Sequence, residues 1–94
     1  MADLSGTITA DSTAQDIAQY NPGRQGFFIQ NPSDVDLWIA FGANAVAASP
    51  SLKVPPDGYI ALGKEHQSTI VRRISIIGGT GSATKAFTAF DSNV

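Results

Sequence analysis

The apolar runs of this chain are only four to eight residues long, and the clusters between them are built to turn it: Asn21-Pro22-Gly23, Asn31-Pro32-Ser33-Asp34, Pro55-Pro56-Asp57-Gly58 and Gly78-Gly79-Thr80-Gly81. Pro presets φ for a turn, Gly supplies positive φ, and Asn, Ser and Asp side chains bond their own backbone. Short segments punctuated in this way, with frequent Thr and Ser, fold as strands joined by turns. An all-β protein is the expectation.

Alternation within the segments predicts the strands. Leu4 to Ala10 opposes Leu4, Gly6 and Ile8 to Ser5, Thr7 and Thr9; it is expected as a first strand, although residues 1–10 read equally well as a flexible arm. Thr13 to Tyr20 suits a helical turn or a strand. Gly26–Gln30 and Val35–Phe41 predict a hairpin across the Asn31–Asp34 turn, with Val35, Leu37, Ile39 and Phe41 on one face and Asp36, Trp38 and Ala40 on the other. Gly42–Ser51 is a long Ala-rich connection, and Leu52–Val54 a short strand. In Tyr59–Leu62 the inward residues are Ile60 and Leu62. After the charged loop Gly63–Ser68, Thr69–Ile77 predicts a long strand, joined through the glycine turn to Ala83–Phe90 as a second hairpin. Six to eight strands without a repeat call for two packed sheets: a small antiparallel β-sandwich, jelly-roll-like, with an open β-barrel as the alternative.

The 94 residues suit one domain, 1–94. Surface scaling gives roughly 5,200 Å² exposed when folded against roughly 14,000 Å² unfolded, which is a thin core. Contacts with neighbouring copies would then add usefully to stability. Eight acidic and six basic residues are scattered singly, apart from Arg72 and Arg73, which point to opposite faces of a strand. That excludes the basic stripe of a nucleic-acid binder. The absence of Cys excludes disulfides, thiolate nucleophiles and cysteine zinc sites. No signal peptide and no membrane span are read in the sequence.

Three motifs invite a chemistry and fail. Gly79–Ala86 approximates a phosphate-binding loop, but Thr84 replaces the second Gly, Ala86 lacks the hydroxyl, and a strand pattern follows where a helix is required. His66 sits between Glu65 and Ser68 without the elbow that presents a nucleophile. Asp34 and Asp36 lack the Gly and Glu of a calcium loop. No enzyme, cofactor or metal is therefore expected.

The aromatic residues carry more information. Trp38 lies opposite the Leu37, Ile39 and Phe41 set, so it packs in a doubly covered core, meets another subunit, or forms a sugar-stacking platform, for which Tyr59 is a second candidate. Phe27 and Phe28 are adjacent, so one points to each face. Arg24, in its turn, is placed to reach a neighbour. These five residues are the interface candidates. Ser92-Asn93-Val94 matches a loose C-terminal ligand pattern that carries no weight.

The run Asn21-Pro22-Gly23-Arg24-Gln25-Gly26-Phe27-Phe28-Ile29-Gln30-Asn31-Pro32-Ser33, continuing through Leu37-Trp38-Ile39-Ala40-Phe41-Gly42, resembles small β-rich virion proteins of tailed bacteriophages. The Gly6-Thr7-Ile8-Thr9 opening and Ile74-Ser75-Ile76-Ile77-Gly78 extend the likeness from Gly6 to Asp91, and the Ala-rich connection after Gly42 departs from it. The resemblance implies a non-enzymatic virion structural protein assembled in the bacterial cytoplasm. It would decorate or cement the capsid through contacts with its own copies and with major capsid or tail proteins. The alternative is a tail- or fibre-associated module that binds a carbohydrate receptor.

Overall fold

In the computed structural model, which describes residues 2–92, nine short strands form two antiparallel sheets. They are β1 (Ala2–Asp3), β2 (Gly6–Thr7), β3 (Gln15–Ala18), β4 (Gly26–Gln30), β5 (Leu37–Phe41), β6 (Leu52–Val54), β7 (Tyr59–Leu62), β8 (Ile74–Gly78) and β9 (Ala86–Ser92). Between β7 and β8 a 3₁₀ turn, Lys64–His66, runs into the single-turn helix α1 (Gln67–Ile70). The C-terminal Ser92-Asn93-Val94 pattern extends outside the described residues.

The first sheet has the order β7-β4-β9, with β1 and β2 following one another along the far edge of β9. The second has the order β3-β8-β5-β6. The pairs nest: β5 with β6, β4 with β7, β3 with β8, and β1 and β2 with β9. Residues 2–8 thus lie along a sheet edge, although only Ala2–Asp3 and Gly6–Thr7 pair as strands.

Both expected hairpins are corrected. β4 and β5 belong to different sheets, as do β8 and β9. The reason at the first turn is Asn31, which is completely buried. Its Nδ2 donates to the carbonyls of Val35 (2.6 Å) and Val54 (2.8 Å), while its Oδ1 accepts from the N–H (3.0 Å) and the hydroxyl (2.6 Å) of Ser33. Its backbone is tied to Gly58 and Asp57. The turn residues therefore staple the exit of β4 to the β6–β7 turn, and the chain crosses to the other layer instead of returning beside β4.

The predicted long strand Thr69–Ile77 is also divided. Thr69 and Ile70 belong to α1, which buries Ile70 completely, and pairing begins at Ile74. β propensity was overridden there by burial of one side chain in a turn. The ambiguous Thr13–Tyr20 segment contains β3, whose pairing with β8 is bulged between Asp16 and Ala18.

The inner faces follow the alternation. Phe27 and Ile29 of β4 and Phe87 and Ala89 of β9 meet Leu37 and Ile39 of β5, Val54 of β6, and Ile74 and Ile76 of β8, all buried in one cluster that Ile8 and Ile70 join. The exposed surface of 4870 Å² is close to the scaling value of roughly 5,200 Å².

Candidate functional site

Because side chains alternate across a strand, the residues between the core positions of the first sheet form its outer face. Register places them in rows. Ala61 of β7, Phe28 of β4 and Phe90 of β9 stand in one row across the three strands. The row on one side contains Tyr59, Gln30 and Thr88. On the other side, Gly26 pairs with Ser92.

Phe28 is the centre of this face. Its ring lies 5.8 Å from that of Tyr59, with 27° between their planes, and 6.4 Å from that of Phe90, at 30°. Near-parallel ring pairs at such spacing add to area burial without consuming a hydrogen bond. The Tyr59 side of the cluster projects, since that residue is 67% exposed. Beside Phe28 lies a shallow recess of about 230 Å³ lined by Gly26, Phe27, Ala61, Leu62, Phe90, Asp91 and Ser92. A Cβ on Gly26 would make only ordinary contacts, 3.6 Å to the Ser92 Cβ and 3.7 Å to the Leu62 carbonyl. The absent side chain is thus what keeps the recess open. In the paired rows of this face the charged residue is Asp3, at the β1 rim opposite Phe90.

The other sequence candidates fall elsewhere. Phe27 is in the core, edge-on to Phe41 at 6.0 Å, which corrects its reading as an interface residue. Trp38 is half-buried on the outer face of the second sheet, paired with Lys53 and Ile77, and the Lys53 ammonium sits 5.9 Å from its ring centroid. Trp38 and Tyr59 therefore belong to opposite layers and cannot share a platform.

Arg24 is likewise interior, 2% exposed, and the expectation that it reaches a neighbour is corrected. Its Nε donates to Asp91 Oδ2 at 2.9 Å, Nη1 to the carbonyls of Ile70 (2.7 Å) and Arg72 (3.2 Å), and Nη2 to that of Gln19 (3.1 Å). The planar fork of the guanidinium suits this divergent set of acceptors. It ties β9 to the end of α1 and to the exit of β3.

The glycine-rich loop has an internal occupant. Asp11 accepts from the N–H groups of Gly81 (3.0 Å) and Ala83 (2.7 Å), and these two bonds hold its carboxyl below the usual aspartate value. A phosphate would have to displace a carboxylate of the same sign. His66 is exposed at the end of the 3₁₀ turn. Asp34 pairs with Lys85 at 2.8 Å and Asp36 with Lys53 at 3.4 Å, so each faces a cation of its own.

A second recess, about 360 Å³, lies where the Ala-rich connection passes β5, and it is lined by Phe41, Ala43, Val46, Pro50 and Leu52 among others. Among the described residues no helix is long and apolar enough to cross a membrane, and no three His, Asp or Glu side chains converge as metal ligands. Comparison of the chain with protein-family models, with curated proteins and with solved structures finds no match.

Phe90, Ala61 and Gly26 were missed by sequence reasoning. Alternation in Ala86–Phe90 gives Phe90 the opposite face from Phe87, but nothing local reveals that Phe28 is its neighbour.

Proposed function

We propose that this protein is a non-enzymatic virion structural protein of a tailed bacteriophage, a decoration or cement subunit that acts through contacts with its own copies and with the major capsid protein. The observation that carries the proposal is the uncharged aromatic cluster Tyr59–Phe28–Phe90, left uncovered on the outer face of the first sheet. A face of this kind is suited to burial against another protein. We read the nested strand order as that of a jelly roll; such double-sheet domains build viral capsids and lectins. The likeness of residues 6–91 to small virion proteins points the same way. Scattered charges argue against nucleic acid as the partner.

The test is sedimentation of purified particles with and without added protein. Co-sedimentation at a stoichiometry that saturates with capsid sites is the expected result. Absence of the chain from particles, together with failure to bind emptied capsids or tails, would refute the proposal. The receptor-binding alternative now rests on Tyr59 and Phe28 with Gln30 alongside, since Trp38 lies in the other layer.

A further inference from the structure

The far edge of β9 is closed by an arm, residues 2–8, that pairs with β9 as β1 and β2. Ile8 is buried in the core and Leu4 packs against it. Between these two anchors, a Cβ on Gly6 would lie 3.3 Å from the Phe87 ring, so glycine is what lets that ring come up to the arm. The backbone is tied by Leu4 N–H to the Ala89 carbonyl (2.8 Å), by Ile8 N–H to that of Lys85 (2.8 Å) and by Thr84 N–H to that of Ile8 (2.7 Å). Asp11, accepting from Gly81 and Ala83, fastens the end of the arm.

These contacts do not require the arm and β9 to belong to the same chain. The Gln15 side chain accepts from Thr9 N–H and donates to the Thr7 carbonyl. The outward bonds of the arm thus run to Gln15 or to residues 81–89, and a second copy offers both. What joins the arm to its own body is the hinge Ser12-Thr13-Ala14. Ser12 is held there at φ +53°, a left-handed conformation that is costly for any residue with a Cβ. Opening the hinge relieves that strain and gives up the bond from Ser12 N–H to the Gly78 carbonyl (2.8 Å). Short hinges under strain favour exchange of an element between copies.

We propose that residues 2–11 exchange between two copies of this chain, each arm closing the β9 edge of the other about a twofold axis at the hinges. The edge in question lies across the first sheet from Tyr59, and the inference does not rest on a place in a virion. The occupant is fixed by identity: this edge already carries residues 2–8, and the same residues of a second copy bring the same Leu4, Gly6 and Ile8 to it. Exchange reuses native packing and exposes no new apolar surface. Three hinge residues pulled straight span about 10 Å, so the two bodies sit side by side.

The chain contains no Cys, so introduced thiols report the exchange. Thr7 and Ala86 are paired across the edge and both are exposed. Thr7→Cys and Ala86→Cys proteins are mixed reduced at millimolar concentration, incubated and oxidised. The crossed disulfide, identified by mass after proteolysis, should exceed by at least about tenfold that from a mixture of Thr7→Cys with Lys53→Cys, because exchange holds the first two thiols at high effective concentration. Lys53 is exposed on the second sheet and serves as the unmatched position.

Sedimentation equilibrium of the full chain should show a mass rising towards that of two chains with concentration. Ser12→Pro forbids the positive φ and removes the N–H, and should strengthen association. Ser12→Gly removes the strain of the closed hinge and should weaken it at least about tenfold. Should Ser12→Pro not fold, insertion of Gly-Gly after Ser12 serves in its place, since a relaxed hinge should leave the chain monomeric. Crossed disulfide no greater than in the unmatched mixture overturns the inference, as does association that Ser12→Gly leaves unchanged. A chain that fails these tests and still binds capsids loses this inference and leaves the proposed function standing.

Discussion

Replacing Arg24 by Met should be among the most damaging single substitutions in the chain, for a reason that can be worked from its partners. The change leaves the Asp91 carboxylate, 5% exposed, without its cation. Its second oxygen, Oδ1, has no partner among the described residues, so nothing else compensates the charge. The carbonyls of Ile70, Arg72 and Gln19 lose their donor as well. Breaking a buried pair from one side costs about 3–5 kcal/mol. For 94 residues at roughly 0.05–0.15 kcal/mol each, total stability is about 5–14 kcal/mol. A loss of about 4 kcal/mol thus removes a large share of it, lowering Tm by roughly 15–30 °C. Urea denaturation followed by circular dichroism measures the loss. The decisive comparison is Arg24→Met/Asp91→Leu, which removes the stranded charge and should recover at least half of it. Arg24→Lys keeps the charge without the fork, should fall between, and serves if the Met variant does not fold. A single-variant cost below about 1 kcal/mol, or a double variant worse than Arg24→Met, would refute the reasoning.

Three further outcomes are expected. Asn31→Ala should cost about 2–4 kcal/mol, since the buried carbonyls of Val35 and Val54 lose their donors; urea midpoints check this, and a cost under about 0.5 kcal/mol would show that the staple is dispensable. Asp11 binds its proton less readily in the folded chain than at the usual value of 3.8, because the amides of Gly81 and Ala83 hold the carboxylate. Its contribution is therefore full above that value and is lost as pH falls through the lower, folded one, so the stability gap between wild type and Asp11→Asn should close in acid. Denaturation of both proteins at neutral pH and below about pH 3 tests the sign, and a gap that does not change with pH would contradict it. Gly78→Ala should cost about 1–3 kcal/mol, since its Cβ would lie 2.3 Å from that of Ser82. Gly79→Ala, with no atom within 4 Å of the added carbon, should be far milder, and melting temperatures of the two variants decide.

Alternation made individual strands legible because it records burial one residue at a time. Gly26–Gln30, Leu52–Val54 and Tyr59–Leu62 form where the pattern placed them, the expected Val35–Phe41 strand begins only at Leu37, and the opposed faces of Phe27 and Phe28 are as expected. Pairing was not legible. A Pro- and Asn-containing turn looks the same whether the chain folds back beside itself or crosses to another layer. What decided between these was a bond from Asn31 to Val54, 23 residues away. The fate of Arg24 was hidden in the same way, because three of its four acceptors are backbone carbonyls, which carry no sequence signature.

The candidate face combines both kinds of information, and this explains why only part of it was found. Phe28 and Tyr59 could be singled out from their own strands. Phe90 and Gly26 acquire meaning only through register, since β9 lies beside β4 although more than fifty residues separate them. The face is built from strands far apart in the chain, β4, β7 and β9. The central strand of the first sheet, β4, takes both its neighbours, β7 and β9, from later in the chain, so a cluster centred on Phe28 exists only once that sheet has assembled. Any partner that docks there consequently reads the completed fold and binds the unfolded chain poorly. Its binding free energy adds to the stability of a thin-cored domain.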